Sequence, residues 1–319
     1  MSEAAAAGEA PASSATRAGV VAVVGAPNAG KSTLTNALVG EKVSIVTHKV
    51  QTTRFPIRGL ALHSGDGVEA QIVLVDTPGI FQGSERMARA MVESAWQGVE
   101  GADAVLHVVD AAAQTHNVAK TVADTARVVE GLRSRKVQAV LALNKIDQIP
   151  RDQLLPLVAQ MRDTGVYKEV FLVSALSGDG VGDLKAYLAQ AMPESPFLYP
   201  SDQATDVPQR VMAAEITREK LFLRLHEELP YRLAVETEGW EERRNGSVRI
   251  DQVIYVTRPG HKGIVLGKGG STLKAVGQAA RAEMRDWLGR DVHLFTFVKV
   301  RPWQDDRARY EAMGLNFEA

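Results

Sequence analysis

Val20-Val21-Ala22-Val23-Val24-Gly25-Ala26-Pro27-Asn28-Ala29-Gly30-Lys31-Ser32-Thr33 decides how the chain is read. Five apolar residues in a row, four of them valine, mark a parallel strand buried on both faces. Gly25 to Ser32 then fits G-x-x-x-x-G-K-[ST], and a helical stretch follows at once. Phosphate oxygens need a ring of backbone N–H donors at close range. Side chains would obstruct that approach and glycines permit it, while the helix N-terminus adds its dipole. The spacing predicts strand, phosphate loop and helix, with Lys31 reaching the β and γ phosphates, Ser32 ligating Mg²⁺, and Thr33 beside it.

Working outward, further apolar runs alternate with amphipathic stretches: Ile72 to Val75, Ala104 to Val109, Val137 to Leu143 and Val170 to Val173. This pattern predicts an α/β P-loop domain, a mostly parallel sheet with helices on both faces. One helix starts at Val181, with Leu184 and Leu188 on one side. The residues that end the five runs, Gly25, Asp76, Asp110, Asn144 and Ser174, should line one crevice beyond the carboxyl ends of the strands.

Three strand ends carry recognisable chemistry. Asn144-Lys145-Ile146-Asp147 suits a guanine pocket, because a carboxylate at Asp147 accepts from both N1–H and the exocyclic amine, and adenine would leave it unpaired. Ser174-Ala175-Leu176 supplies a backbone donor for the guanine O6. Asp76-Thr77-Pro78-Gly79 suits an Mg²⁺ contact through Asp76 and a γ-phosphate sensor at the Gly79 amide. In Gln51-Thr52-Thr53-Arg54 a hydroxyl should complete the metal shell, and Thr53 is favoured over Thr52. Lys31, Thr53, Asp76 and Gly79 are the expected catalytic set. Ile80 stands where many GTPases carry a water-orienting Gln, so unaided hydrolysis should be slow. Asn28 is a candidate K⁺ ligand, and a role in stiffening the loop is an equally open reading.

Around Met192 the rhythm changes, with Pro193, Pro196, Pro200 and Pro208 punctuating a polar stretch. Met212, Ile216 and Leu223 then recur at helical spacing. Strands at Leu233 to Glu238 and Val248 to Val256 flank an Asn245-Gly246 turn. After a Gly-rich loop come a helix bearing Leu273, Val276, Ala280 and Trp287, and a strand from Val292 to Val300. The expected order is helix, strand, strand, loop, helix, strand, a smaller α+β domain. The implied division is a disordered Ala-rich tail at 1–18, a nucleotide domain at 19–192, a linker at 193–207 and a second domain at 208–319.

Gly267-Lys268-Gly269-Gly270 sets G-x-x-G at a helix start, the device by which a KH domain lets a nucleic-acid backbone approach. An apolar strand and a loop at His261-Lys262-Gly263 are expected before it. From Gln252 to Ala282 there is no acidic residue, whereas Arg258, Lys262, Lys268, Lys274 and Arg281 lie there, and Lys262, Lys268 and Lys274 are candidate RNA contacts. The charge divides accordingly: 18 basic against 22 acidic residues up to Val207, and 19 against 16 beyond it. Trp287, Phe295 and Phe297 could stack on bases, but their spacing favours the core. The absence of cysteine excludes disulfides, thiolate metal sites and a cysteine nucleophile. No apolar run is long enough to span a bilayer.

The ordered set Gly25 to Ser32, Gln51 to Arg54, Asp76 to Gly79, Asn144 to Asp147, Ser174-Ala175, Glu228-Leu229-Pro230 and Gly267 to Gly270 resembles the bacterial Era GTPases from Val20 to Gly314. The resemblance implies a GTP-hydrolysing switch with GTP, GDP and Mg²⁺ as ligands. It also implies binding of the 3′ end of 16S ribosomal RNA, a part in 30S subunit assembly, and a cytoplasmic place with peripheral membrane association. No stable protein partner is deducible. Phe81 stands where relatives commonly have His, a departure in the second switch.

Overall fold

The computed structural model describes residues 16–65, 67–304 and 306–319. The first domain is built from β1 (Thr16–Val24), α1 (Lys31–Val39), β2 (Ile57–Gly65), β3 (Val68–Asp76), α2 (Arg86–Glu100) and β4 (Ala104–Asp110). It continues with α3 (Ala111–Thr115), α4 (Ala119–Ser134), β5 (Ala139–Asn144), α5 (Leu154–Arg162), β6 (Tyr167–Leu172) and α6 (Val181–Ala191). The strands form one sheet in the order β2-β3-β1-β4-β5-β6, with β2 antiparallel to β3 and the other pairs parallel. Alternate residues of β1 serve opposite faces. Val21 and Val23 pack with Leu34, Leu38, Leu184 and Leu188 of α1 and α6. Ala22 and Val24 pack with Ala95, Val99, Val128 and Leu132 of α2 and α4. Burial on both sides is why these strands read as unbroken apolar runs.

The second domain comprises α7 (Gln209–Arg224), β7 (Leu233–Glu242), β8 (Val248–Val256), α8 (Pro259–Leu266), α9 (Ser271–Leu288), β9 (Val292–Val300) and α10 (Arg307–Ala312). Its three strands run β7-β8-β9, antiparallel then parallel. Met212 and Ile216 of α7 and Ala280 and Met284 of α9 meet Val248 and Ile250 of β8 in the core.

Several expectations need correction. The tail expected at 1–18 falls mostly outside the described residues, and Thr16 to Ala18 already belong to β1, paired with Glu69 to Gln71. β2 was not anticipated, because its edge sequence lacks the run of a buried central strand. Leu223 is 43% exposed, while its neighbours Leu221 and Phe222 are buried. His261-Lys262-Gly263 lies inside α8, not in a loop. Arg258 stands at the N-cap position without a side-chain capping bond, and Pro259 occupies the first turn, where a missing N–H costs nothing. Phe295 and Phe297 are 43% and 55% exposed, so neither is a core residue.

The stretch 193–207 is docked along the first domain. Buried Gln71 accepts from the Leu198 and Tyr199 amides at 2.8 and 2.9 Å and donates to the Tyr199 carbonyl at 2.9 Å. Bridges pair Arg17 with Glu194 and Gly59 with Thr205. Beyond α10 the chain returns to the first domain, where Tyr310 and Leu315 pack on Ala90 and Met91 of α2.

Candidate nucleotide-binding site

β1 sits centrally, with β3 on one side and β4 on the other, so the loop after it opens at the crevice where the chain direction divides. Gly30 turns this loop into α1 at φ 93°, and a Cβ there would lie 2.2 Å from the Asn144 amide nitrogen. That approach matters because Asn144 staples the site together. Its Nδ2 donates to the Ala29 carbonyl at 2.9 Å, and its Oδ1 accepts from the Ala175 amide at 2.9 Å. One buried side chain thus fixes the phosphate loop against the loop after β6.

Lys31 is buried, and its ammonium donates to the carbonyls of Gly25 and Ala26 at 3.2 and 3.0 Å. Burial lowers its pKa to about 8, against the opposing pull of Asp76. Asp76 is fully buried at the end of β3, and desolvation raises its pKa despite hydrogen bonds from hydroxyls and the charge of Lys31. Asp76 Oδ2 accepts from Ser32 Oγ at 2.6 Å and from Thr53 Oγ1 at 3.5 Å, and the two hydroxyls are 2.9 Å apart. Asp76 Oδ1 is buried without a hydrogen-bond partner. Three hard oxygen donors therefore meet beside an unsatisfied carboxylate oxygen, a donor set that fits Mg²⁺.

A cavity of about 360 Å³ is lined by Pro27, Asn28, Gly30 to Thr33, Ile45 to Lys49, Gln51 to Thr53, Gly79 and Lys145. The Gly25 and Ala26 carbonyls are held by Lys31, which lines it, and the Thr77 hydroxyl donates to Val23 O at 2.7 Å. Pro78 continues from Thr77 toward Gly79. Ile80 is buried, and its amide donates to Gly25 O at 3.1 Å. Its side chain packs with Val24 and Ala95 and offers no hydrogen bond to a water. Asn28 stands at φ 62° and its Nδ2 donates to His48 O at 3.1 Å, leaving its Oδ1 to other partners.

Thr52 and Thr53 point to different neighbours. The Thr52 hydroxyl lies 2.6 Å from Thr47 Oγ1 and donates to the Lys49 carbonyl at 2.8 Å, away from Asp76. Asp147 is exposed in a 3₁₀ turn at Ile146–Gln148 beyond the cavity. Lys145, at φ 66°, is paired with Asp110. Ser174 is buried and Leu176 is 82% exposed. The structure thus brings Asn28, Gly30 to Thr33, Thr53 and Gly79 to one cavity together with Lys145, while Asp76 lies buried behind Ser32 and Thr53, and Asp147, Ser174, Ala175 and Leu176 do not line it.

In the second domain, Gly267 to Gly270 joins α8 to α9. Gly267 has φ 73° and ψ 172°, a backbone open essentially to glycine, and a Cβ would strike Thr272. Lys262, Lys268 and Gly269 are exposed, as the approach of a polyanion requires. Gly270 begins α9 in a left-handed conformation, and Lys274 follows one turn later.

Sequence reasoning missed the residues that join the two domains. Arg54 is buried and donates to Leu233 O at 2.7 Å and Pro230 O at 3.2 Å. Burial and the nearby charge of Arg218 lower its pKa to about 9. Lys42 reaches Glu219 and Glu283, and Lys49 donates to the carbonyls of Phe222 and Leu225. No local pattern announces such contacts, which join positions about 170 residues apart or more.

Residues 20–145 match the family described as 50S ribosome-binding GTPase, and residues 228–304 match the KH domain. GTPase Era of Caulobacter vibrioides is 54% identical over 312 residues, covering 95% of this chain and 98% of its own. GTPase Era of Maricaulis maris is 54% identical over 311 residues, with the same coverage. Among solved structures, Aquifex aeolicus Era bound to GDP·AlF4⁻ superposes with a TM-score of 0.85 at 34% identity, over 94% of this chain and 99% of that one. The same values hold for Era in complex with MgGDPNP and nucleotides 1506–1542 of 16S ribosomal RNA. With the phosphate loop, the base-side motifs and the G-x-x-G module in that order, and at that identity over nearly the whole length, the chain belongs to the Era family of GTPases.

Proposed function

We propose that this GTPase uses Mg²⁺ and two nucleotide-sensing segments to govern how its KH domain is presented to the 3′ end of 16S ribosomal RNA during assembly of the 30S subunit. The observation that carries the reading is the meeting of Ser32 and Thr53, which line the phosphate cavity, with Asp76 buried behind them and one of its carboxylate oxygens unpaired. When bound, Mg²⁺ neutralises charge on the β and γ phosphates. Ser32 and Thr53 would hold it directly and Asp76 directly or through water, while Lys31 steadies the phosphates and the Gly79 amide senses the γ group. Gly25 to Thr33 would wrap the phosphates with their amides, and Thr77 and Pro78 shape the turn that presents Gly79. On the base side Asp147 selects guanine, Asn144 and Lys145 frame the pocket, and Ser174, Ala175 and Leu176 close it.

Water must be oriented by a group other than Ile80. Asn28 Oδ1 is our candidate K⁺ ligand beside the phosphates, and equal turnover in K⁺ and Na⁺ buffers would remove that role. For the RNA, Lys262, Gly267, Lys268, Gly269, Gly270 and Lys274 form the proposed contact, supported by the acid-free window and by the Era complex with ribosomal RNA. Filter binding of a 16S 3′-end fragment, with GTP, GDP and no nucleotide, tests the proposal. Lys268→Asp should weaken RNA binding roughly tenfold or more at low salt and spare GTP turnover. RNA bound equally in all three nucleotide states would sink the switch, and wild-type affinity in Lys268→Asp would sink the assigned loop.

We place the protein in the cytoplasm. Among the described residues no helix is long and apolar enough to cross a membrane. Peripheral association with the membrane's cytoplasmic side is carried over from the family resemblance, and co-flotation with anionic vesicles tests it.

A further inference from the structure

Three consecutive residues of the loop before β2 are divided between the two domains. The Thr52 carbonyl accepts from Arg218 Nη2 of α7. The Thr53 hydroxyl faces Ser32 and Asp76 in the phosphate cavity. The Arg54 guanidinium donates to Leu233 O and Pro230 O and lies over the rings of Phe222 and Trp303 at 5.8 and 5.1 Å. The middle residue therefore hangs between two anchors that both belong to the RNA-binding domain.

Arg218 is built to be rigid. It is 2% exposed, its Nε donates to Glu215 Oε1 at 2.7 Å, its Nη2 bonds Glu215 Oε2, and its guanidinium lies 5.0 Å from the Phe222 ring centre. The same nitrogen that meets Glu215 reaches across the domain boundary to Thr52 O. The next residue of α7 grips the loop upstream, where Glu219 accepts from the Val46 amide at 2.8 Å.

We propose that Arg218 is a positioning residue for GTP hydrolysis, fixing the backbone at Thr52 so that the Thr53 hydroxyl stands ready in the metal shell. The proposal rests on the reading of Thr53 as a metal ligand. A hydroxyl on a free loop must lose backbone freedom each time it engages the ion, whereas a loop fixed on both sides of the ligand has already lost it. Thr53 is needed only when the γ phosphate is present. The contribution of Arg218 should accordingly appear with GTP and Mg²⁺ and not with GDP. It makes the RNA-binding domain part of the nucleotide site, so a shift of α7 that withdraws Arg218 lowers turnover without touching a phosphate contact.

The test is the Mg²⁺ dependence of turnover at saturating GTP. Arg218→Lys keeps a cation beside Glu215, and so keeps the fold, but lacks the planar fork that serves two acceptors at once. A second variant, Arg218→Met with Glu215→Gln, removes both charges of the pair, so that buried Arg54 loses the attraction of Glu215 together with the repulsion of Arg218. Both should raise the Mg²⁺ concentration for half-maximal turnover roughly tenfold, the scale of one charge-assisted hydrogen bond. GDP affinity should be unchanged. Thr53→Ala should show the same shift, and adding Arg218→Lys to it should produce no further loss. If both Arg218 variants keep the wild-type Mg²⁺ curve while Thr53→Ala shifts, the positioning role is wrong and the ligand reading stands. If Thr53→Ala itself keeps the wild-type curve, the ligand reading fails and takes the proposal with it. Equal losses of GDP and GTP affinity in the Arg218 variants would mark a merely structural residue.

Discussion

Replacing Gly30 by alanine, with Gly40→Ala as its control, separates backbone strain from collision at the nucleotide site. Both glycines stand at φ 93°. A side chain at either costs roughly 1–2 kcal/mol for the left-handed backbone alone. At Gly40, which ends α1, a Cβ meets nothing within 4 Å. At Gly30 it would lie 2.2 Å from Asn144 Nδ2, an atom that must move for the variant to exist. Moving it opens the bond to Ala29 O and strains the one from Ala175 N. At about 0.5–1.5 kcal/mol for each bond, the loss is roughly 1–3 kcal/mol, or about tenfold to a hundredfold in affinity. Both variants should melt a few degrees lower, since about 1 kcal/mol corresponds to roughly 2–4 °C in a domain of this size. In titrations with a fluorescent GDP analogue, Gly40→Ala should bind within about threefold of wild type, while Gly30→Ala loses about tenfold to a hundredfold. Equal affinities for the two variants would refute the claim that Asn144 couples the phosphate loop to the loop after β6.

Asp147→Asn exchanges an acceptor for a donor at an exposed position, so the fold should survive. GTP affinity should fall by roughly two orders of magnitude or more and binding of xanthosine triphosphate should improve, both read by competition against the same fluorescent probe. His107 is fully buried in β4, and its pKa is lowered to about 3, first by burial and then by the charge of Lys31. The unfolded chain binds a proton near pH 6.5 and the folded chain does not. The neutral ring therefore contributes fully above that pH and its contribution is lost as the pH falls, by roughly 2 kcal/mol between pH 6.5 and 5. Urea midpoints across that window should fall more steeply for wild type than for His107→Gln, and parallel curves would contradict the assignment.

How much of this was legible in the sequence depends on how local the determinants are. Val20 to Val24 announced a buried strand because both of its faces meet helices, and Gly25 to Ser32 announced its loop because the phosphate geometry is satisfied within eight residues. β2 escaped because it is an antiparallel edge strand, although Gly65-Asp66-Gly67 was a hairpin signal open to use. α8 escaped because Gly260 and Gly263 weaken its helical pattern, with Pro259 as the overlooked cue. Phe295 and Phe297 misled because spacing fixes which face of β9 they share but not whether anything covers that face. At the site, each motif was readable by itself. What spacing could not supply was the Asn144 staple between two motifs, or the ion pairs and carbonyl contacts that fasten the switch loop to α7.

Those contacts bear on how a nucleotide and an RNA can influence one another. Lys42 bonds Glu219 of α7 and Glu283 of α9, and Lys220 bonds Glu283 as well, so one cluster ties the nucleotide-sensing loop to the helix that starts at the G-x-x-G turn. Burial works against the charge of Glu219, yet bonds from Lys220, Lys42 and the Val46 amide hold its pKa below the usual carboxylate range. Such a cluster has few intermediate arrangements. Glu219 is the buried member, and losing its lysine partners while it stays in place would leave its carboxylate desolvated. A loop joined in this way tends to be either docked on α7 or released from it. GTP favours the docked form only to the extent that Thr53 binds better there, and RNA only to the extent that it prefers the accompanying position of α9. By reciprocity, any factor by which bound RNA tightens Mg²⁺·GTP must equal the factor by which Mg²⁺·GTP tightens RNA.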